Sequence, residues 1–173
     1  MKLIETKLKE VKIICPEVMK DDRGYFFESY NYKKFIENIN FVQDNESLSK
    51  YGVLRGLHYQ KKPYGQSKLV RVIKGKIQDV VVDIRPKSKT YKKYLSVELS
   101  DENKYQLFVP DGFAHGFLIL SDEAIISYKV DCYYNMKADL GYRFNDPSFN
   151  IKWVIDDKEI ILSKKDENLP FLK

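Results

Sequence analysis

The sequence predicts an all-β protein with a few short helices. Runs of strand-forming residues recur about every ten residues from Val53 onward, with turn residues between them, as in β-sandwiches and barrels. Thirteen Tyr and ten Phe support this prediction, because aromatic residues favour strands. No Pro/Gly/Ser-rich linker divides the 173 residues, and this length suits one domain. We therefore expect a single domain over residues 1–173.

The individual elements follow from these runs. A first strand is expected at residues 11–14 and an aromatic strand at 25–30. A short helix over 31–39 is expected next, because Asn31 can cap it and three apolar residues within it have helical spacing. The later strands are expected at 53–60, 68–73, 77–84, 94–99, 105–109, 116–120 and 125–130. Beyond Asn145 the less regular pattern predicts short helical turns.

Residues 41–47 begin with two apolar side chains and end with five consecutive polar ones. A solvated loop accounts for this pattern as well as a binding segment does. Both interpretations stay open.

Composition and charge exclude several classes of function. The net charge of +5 comes from bases and acids scattered along the chain, which indicates no nucleic-acid partner and fits an anionic small substrate equally well. No apolar run approaches the ~20 residues of a membrane helix, and the first residues lack a signal-peptide pattern, so we expect a cytoplasmic protein with no membrane partner. Cys15 and Cys132 are widely spaced without a CxxC pattern, which favours reduced thiols over a disulfide or a metal site.

Only two histidines occur, and both lie in apolar, strand-like surroundings. His58 lies in Arg55-Gly56-Leu57-His58-Tyr59-Gln60, and His115 lies in Pro110-Asp111-Gly112-Phe113-Ala114-His115-Gly116-Phe117. Histidine is the side chain whose ordinary pKa is nearest neutrality, so proton chemistry in this chain would depend on these two. Taken alone, each is more often a hydrogen-bonded structural residue than a catalyst.

Strand alternation places a constraint on the first of these segments. Arg55 and His58 have opposite parity, so a regular strand would project them to opposite faces. Both can line one site only through a bulge, and Gly56 between them is a residue that tolerates a bulge.

A second geometric prediction concerns Lys68. A two-residue turn at residues 74–75 would pair the strand that begins at Lys68 with the next strand and place Lys68 opposite Val81. Asp79 and Asp83 would then be its diagonal neighbours, roughly 7–8 Å away, on an otherwise apolar face. A lysine between two carboxylates on such a face indicates a lined cavity more than a solvated surface.

Together, the two histidine segments closely resemble the dTDP-4-dehydrorhamnose 3,5-epimerases. The resemblance implies a cupin-type jelly roll, or double-stranded β-helix, a homodimer, no cofactor, and a nucleotide-linked 4-keto-6-deoxy sugar as substrate. It also implies a place in deoxysugar biosynthesis for surface polysaccharide such as lipopolysaccharide. It extends over nearly the whole chain, through Asp22-Arg23-Gly24, Gln43-Asp44-Asn45, Lys68-Leu69-Val70-Arg71-Val72, Asp79-Val80-Val81-Val82-Asp83-Ile84-Arg85, Asn145-Asp146-Pro147 and Leu162-Ser163-Lys164-Lys165-Asp166.

The resemblance implies catalytic roles as well. Carbons 3 and 5 of such a sugar flank the carbon-4 ketone, so epimerisation needs a base, a donor to the enolate oxygen and an acid on the opposite face. By similarity, His58 is the base, Asp166 orients it, and Tyr128 is the acid. Lys68 supplies positive charge near the carbon-4 oxygen, and Asp79 would hold Lys68. Without the resemblance, Tyr128 would be interpreted as a core tyrosine and Asp166 as a surface acid.

The implied substrate contacts include Arg23, which reaches in from the neighbouring subunit. Arginine suits a diphosphate because its guanidinium donates two parallel hydrogen bonds. The family commonly has Glu where this chain has Asp139, one methylene shorter, so the contact made there stays open. The full implied set is Arg23, Glu28, Gln43, Asn45, Arg55, Lys68, His115, Asp139 and Lys165.

Other functions remain possible from the sequence. The segment around His115 also fits the second motif of metal-dependent cupins such as dioxygenases, but His58-Tyr59-Gln60 lacks the His-x-His of the first motif, so we expect no metal site. A non-catalytic sugar-nucleotide binding module would keep the contact residues, although it would not need base, orienter and acid together. An epimerase acting on a GDP-linked 4-keto-6-deoxy-heptose, or at one carbon only, would use the same mechanism.

Overall fold

The computed structural model describes residues 1–34 and 39–172, and most of its regular structure is strand. No helix in these ranges is long and apolar enough to cross a membrane. The helical elements are a 3-10 turn at Asp157–Glu159 and a short helix, α1, at Lys164–Glu167. The strands are β1 Lys2–Glu5, β2 Lys12–Cys15, β3 Met19–Asp21, β4 Gly24–Phe26, β5 Gln43–Lys50, β6 Leu54–Gln60, β7 Lys68–Lys74, β8 Lys76–Asp83, β9 Tyr94–Ser100, β10 Gln106–Val109, β11 Phe113–Ile119, β12 Glu123–Val130 and β13 Asp139–Gly141.

The strands form two large antiparallel sheets. One has the order β1-β2-β10-β7-β12-β5, and the other has the order β13-β6-β11-β8-β9. From β5 to β8, successive strands alternate between the sheets, as in a jelly roll. Strands β3 and β4 form a separate hairpin. The predicted all-β jelly roll is confirmed, and so are the short helical turns near the C-terminus.

The hydrophobic core lies between the two sheets. Val70 and Val72 on β7, and Ile126 on β12, come from the six-stranded sheet, whereas Val81 on β8 and Phe117 on β11 come from the five-stranded sheet. All five are buried. Side chains on one face of a strand recur every second residue, so the inward faces that carry this core also carry polar residues further along the same strands.

The hairpin predicted at residues 74–75 is wrong. Strand β7 pairs with β10 and β12, whereas β8 pairs with β9 and β11 in the other sheet. The Gly75 N–H donates to the Asp101 carboxylate at 2.9 Å rather than closing a hairpin, and the chain crosses between the sheets here. Lys68 and Asp79 therefore interact across the two sheets instead of along a diagonal of one sheet.

Asp83, the second expected neighbour of Lys68, belongs to a different cluster. Its carboxylate is fully buried and accepts hydrogen bonds from Arg85, Ser88 and Thr90 at distances between 2.5 and 2.9 Å. Burial acts to raise the pKa of Asp83, but these hydrogen bonds outweigh burial and lower it. The cluster holds the loop that follows β8.

Residues 43–50 form strand β5, which the sequence left undecided between a loop and a binding segment. Every second side chain is turned inward, and the alternate side chains are exposed. Burial that alternates every second residue is typical of a half-buried strand. A hydrophobicity pattern could not reveal this strand in the sequence, because its inward residues are polar. These are Gln43, Asn45, Ser47 and Ser49.

Other elements differ from the prediction at their limits. The aromatic strand expected at 25–30 is shorter and ends at Phe26. Strands β1, β3 and β13 were not predicted. The helix expected over 31–39 includes residues 35–38, which lie outside the described residues, so that expectation is not tested.

The predicted bulge around Gly56 is confirmed. In the pairing of β6 with β11, His115 lies opposite His58 and Phe117 lies opposite Arg55, so β6 has one extra residue. Gly56 has a φ of 137°, and an ideal Cβ placed there would lie 2.5 Å from the Gly116 Cα. This position requires glycine for its dihedral angle and also for space.

We predict that Gly56→Ala destabilises the fold much more than Gly24→Ala does. Gly24 has a similar φ of 132°, but nothing lies within 4 Å of its ideal Cβ. The strained φ should cost about 1–3 kcal/mol at either position, and the clash at Gly56 should add roughly as much again. Thermal unfolding at one protein concentration measures the difference. Equal losses for the two variants would contradict the steric explanation.

Candidate active site

A polar cleft lies between the two sheets and has two connected compartments. The His115 compartment, about 260 Å³, is lined by Ser47, Arg55, His58, Lys68, His115, Phe117, Tyr128, Ser163, Lys165 and Asp166. The Tyr134 compartment, about 280 Å³, is lined by Gln43, Asn45, His58, Tyr59, Gln60, Gln66, Lys68, Tyr128, Tyr134 and Asp139. The compartments share His58, Lys68 and Tyr128, so they form one continuous cleft.

His58 and Asp166 form a short, partly buried polar contact in the cleft. The His58 Nε2 lies 2.5 Å from an Asp166 carboxylate oxygen, and the Asp166 side chain is almost fully buried. Burial acts to raise the pKa of Asp166, but the hydrogen bond and charge of His58 outweigh burial and lower it. The carboxylate stays ionised, holds the imidazole in place, and favours the tautomer with its proton on Nε2. Nδ1 is then the basic nitrogen.

The C-terminal segment positions Asp166. Ser163 caps α1, and its hydroxyl accepts a hydrogen bond from the Asp166 N–H at 3.1 Å. Beyond the helix, the buried Asp146 carboxylate accepts a hydrogen bond from the Leu172 N–H at 2.5 Å. Asp146 thereby ties the end of the chain to the body of the protein, which gives a physical role to the Asn145-Asp146-Pro147 segment.

His115 and Asp79 form a second histidine–carboxylate pair. The His115 Nε2 lies 2.9 and 3.0 Å from the two Asp79 oxygens, and both side chains are buried. The sequence suggested that Asp79 would hold Lys68. The direct hydrogen-bond partner of Asp79 is instead His115, and Asp79 acts on Lys68 through its charge.

Lys68 lines both compartments. Burial lowers its pKa to about 8, an effect that Asp79 and Asp139 oppose and that Lys165 reinforces. The ammonium group is therefore mostly charged at neutral pH, and it loses its proton as the pH rises through about 8.

Tyr128 faces the cleft, whereas its residue type alone had suggested a core tyrosine. It lines both compartments and also packs against the core. Burial raises the pKa of Tyr128, the Arg55 charge lowers it, and Asp139 raises it, with a net increase. Its hydroxyl stays protonated near neutral pH. Tyr128 belongs to β12 in the six-stranded sheet, whereas His58 belongs to β6 in the five-stranded sheet.

The bulge in β6 achieves what the parity argument required, since Arg55 and His58 line the same compartment. The Arg55 Nε donates to the Ser49 hydroxyl at 3.0 Å.

Lys165 forms an ion pair with Asp139, which also accepts a hydrogen bond from the Tyr134 hydroxyl at 2.9 Å. The shorter Asp139 thus contacts Lys165 and Tyr134, and the cations around it suit an anionic ligand.

Two expected contact residues lie outside this cleft. Arg23 follows β3, has a side chain that is 90% exposed, and pairs with Asp21 of the same hairpin. Glu28 accepts hydrogen bonds from Asn31 and Lys34 and lines a different surface pocket. The other expected site residues meet in the cleft or, for Asp79, lie directly behind it.

Sequence reasoning missed several residues that line the cleft. The buried Ser47 hydroxyl has no hydrogen-bond partner among the described residues. Gln60 lies in the segment that carries the family resemblance, but it was given no role beyond breaking a metal motif. Tyr134 carried no spacing or motif signal, and its neighbourhood reaches the cleft through strand pairing and side-chain contacts between distant parts of the chain. Among residues 1–34 and 39–172, no three His, Cys, Asp or Glu side chains are grouped so that they could hold a metal ion.

Comparison with known proteins agrees with this geometry. A family model described as dTDP-4-dehydrorhamnose 3,5-epimerase matches residues 5–173. The dTDP-4-dehydrorhamnose 3,5-epimerase of Shigella flexneri is 49% identical over 172 residues, which cover 97% of this chain and 94% of that protein.

Two solved structures extend the comparison to three dimensions. The Elizabethkingia anophelis dTDP-4-dehydrorhamnose 3,5-epimerase is 50% identical with a TM-score of 0.94, covering 99% of this chain and 96% of that one. The Legionella pneumophila dTDP-6-deoxy-D-glucose-3,5-epimerase, in complex with dTDP-4-keto-L-rhamnose, is 42% identical with a TM-score of 0.95, covering 98% and 92%. By sequence and by fold, the chain belongs to the dTDP-4-dehydrorhamnose 3,5-epimerase family.

Proposed function

We propose that this protein converts dTDP-4-dehydro-6-deoxy-glucose to dTDP-4-dehydro-rhamnose by inverting carbons 3 and 5, as a step of deoxysugar biosynthesis. The placement of His58 and Tyr128 carries this proposal. They line one cleft from strands of opposite sheets, so a sugar ring bound between them has a base on one face and an acid on the other. Inversion of a carbon requires this arrangement. The names of the relatives support the choice of nucleotide sugar.

The reaction proceeds by proton transfer next to the carbon-4 ketone. His58 removes the proton, and the electrons of the C–H bond form an enolate whose negative charge lies on the carbon-4 oxygen. The charged Lys68 stabilises this oxygen. Tyr128 then donates its hydroxyl proton to the opposite face of the same carbon, and solvent restores both groups. Each proton carrier is a side chain of this chain, so the proposed mechanism uses no cofactor.

The remaining cleft residues bind the substrate in this proposal. Arg55 and Lys165 place positive charge near the diphosphate, and His115, fixed by Asp79, faces the sugar. Gln43 and Asn45 line the Tyr134 compartment, where their amides suit a nucleobase.

We further propose that the protein acts as a homodimer in the cytoplasm. Strands β3 and β4 form a hairpin whose six residues are all exposed, with Phe26 at 65%, and an isolated two-stranded hairpin is marginally stable in water. Packing against a second copy would cover it and would let Arg23 reach the neighbouring cleft. Both cysteines are free thiols, which a reducing compartment preserves.

The proposed function predicts that Tyr128→Phe slows inversion of configuration at carbons 3 and 5 but retains exchange of their protons with solvent deuterium. The variant keeps the ring and loses only the proton donor, so inversion should fall by roughly 10²–10⁴-fold. His58 can still remove a proton and return a deuteron to its own face. NMR in deuterated solvent, with the dTDP-linked 4-keto sugar and a GDP-linked sugar for comparison, follows both rates at carbons 3 and 5.

His58→Ala is the matched control, because it should abolish exchange at both carbons. Retained exchange in that variant would refute the assignment of the base. A Tyr128→Phe protein that inverts both carbons at the parental rate would show that its hydroxyl is not the acid. Exhaustive chelation should leave the parental exchange rate unchanged, and a fall would favour a metal-dependent cupin.

A pH prediction follows from Lys68. Its positive charge is present below pH 8 and is lost as the pH rises through about 8, so kcat should decrease on the alkaline side from that point. The raised pKa of Tyr128 keeps the acid protonated in the same window. Lys68→Arg, whose guanidinium remains charged, should show lower activity at pH 7 but a flat profile to pH 9. An unchanged alkaline decrease in Lys68→Arg would assign it to another group.

Arg23 gives a test of the shared site. Arg23→Ala and His58→Ala should each be nearly inactive as homodimers. If Arg23 serves the neighbouring cleft, one of the two clefts in a mixed dimer has both residues intact. Random pairing in a co-refolded mixture makes half of the dimers mixed. The mixture should therefore recover up to about a quarter of parental activity. Mixtures that stay as inactive as the separate variants would show that Arg23 acts within its own chain, and an Arg23→Ala homodimer with parental activity would show that Arg23 has no role.

A further inference from the structure

Residues 131–138, here called the 131–138 loop, connect β12 to β13 and form part of the wall of the Tyr134 compartment. The loop contributes the Tyr134 ring, which is 55% exposed. Its backbone is bound by side chains from other elements. The Asp131 carboxylate accepts a hydrogen bond from the Ser67 N–H at 2.7 Å, which ties the start of the loop to the segment before β7.

Three glutamine side chains bind successive parts of this loop. Gln66 donates to the Cys132 carbonyl at 2.6 Å, Gln43 accepts from the Tyr134 N–H at 3.2 Å, and Gln60 accepts from the Asn135 N–H at 2.7 Å. All three glutamines line the Tyr134 compartment. They come from different parts of the chain, so the loop is held from several directions.

Gln60 differs from the other two because its amide joins two backbone segments. Its Nε2 donates to the Tyr64 carbonyl at 2.8 Å, while its Oε1 accepts from Asn135. One amide thus joins the segment after β6 to the 131–138 loop. Gln60 also lies two residues beyond His58 on β6, so the same strand fixes the base and this wall of the cleft.

The amide of Gln60 bonds to the protein through both of its polar atoms, and the residue is only 7% exposed. A side chain in this state acts through the backbone that it holds. The compartment it shapes is lined by amide groups and by the Tyr134 ring, a combination that suits hydrogen bonding and stacking with a nucleobase.

We propose that Gln60 is a positioning residue that fixes the 131–138 loop as the wall against which the nucleotide part of the substrate binds. This inference rests on the proposed function for the identity of the ligand. It explains why a glutamine follows His58-Tyr59 in a strand whose neighbouring residues serve catalysis.

Gln78 provides a matched control. It is also a buried glutamine, 4% exposed, whose amide donates to the Ser96 hydroxyl and the Lys152 carbonyl and accepts from the Val154 N–H. It does not line the cleft. Gln60→Met and Gln78→Met therefore remove the same kind of buried amide and lower stability for the same reason, but only one of them should alter the 131–138 loop.

The first measurement is amide hydrogen exchange on the free protein. In Gln60→Met, the Asn135 amide should exchange at least about tenfold faster than in the parental protein, because it loses its acceptor. In Gln78→Met it should exchange at the parental rate. Gln60→Glu keeps an acceptor oxygen for Asn135 and is the second variant if Gln60→Met does not fold; Asn135 should remain protected in it. Unchanged Asn135 exchange in Gln60→Met, or faster Asn135 exchange in Gln60→Glu than in the parental protein, overturns the proposal.

The second measurement is the split between KM and kcat with the dTDP-linked 4-keto sugar. Gln60→Met should raise KM, and the Kd of thymidine diphosphate measured by calorimetry, about tenfold, while kcat stays within about twofold. Gln78→Met should change neither. A lower kcat at unchanged KM, or an equal rise of KM in both variants, contradicts the positioning role. A parental protein that does not convert the sugar would overturn the proposed function instead, and the exchange measurement would still decide whether Gln60 holds the loop.

Discussion

The close approach of β6 and β11 at two glycines is the constraint on which the site depends. Gly56 and Gly116 face each other so closely that a Cβ on either would meet the backbone of the other strand within 3 Å. The extra residue of β6 lies at this contact and turns Arg55 to the same side as His58. Each histidine segment supplies one of the two glycines. The spacing of both segments is therefore fixed by backbone packing as well as by chemistry.

Charge compensation within the core is the second requirement. Taking a carboxylate out of water is expensive unless hydrogen bonds and opposite charges compensate it. Asp79 and Asp166 are both buried, and each lies behind a histidine whose ring it orients. Lys68 lies between charged partners and keeps a lowered pKa. The groups that make the cleft reactive are thus tolerated in the fold because they are paired.

The sequence could predict what depends on local pattern. Strand-forming runs revealed most strands from residue 53 to residue 130, and the parity of Arg55 and His58 revealed the bulge. Pairing between strands was harder to predict from the sequence, because alternation shows which residues share a face but not which sheet a strand joins. The strand that carries Lys68 was therefore paired with the wrong neighbour. Strand β5 stayed undecided because its inward side chains are polar. A strand that lines a polar cleft and a solvated loop both consist largely of polar residues, so composition does not distinguish them.

The position of β5 at the edge of its sheet has an evolutionary consequence. It pairs with β12 on one side, and the inward side chains it offers are two amides and two hydroxyls rather than core residues. Three of them, Gln43, Asn45 and Ser47, line the cleft, so substitutions there change its lining and remove little apolar contact from the interior. Ligand preference can therefore diverge through substitutions in this strand among descendants of one ancestor. The apolar core between the two sheets, and the stability that it provides, can be retained at the same time.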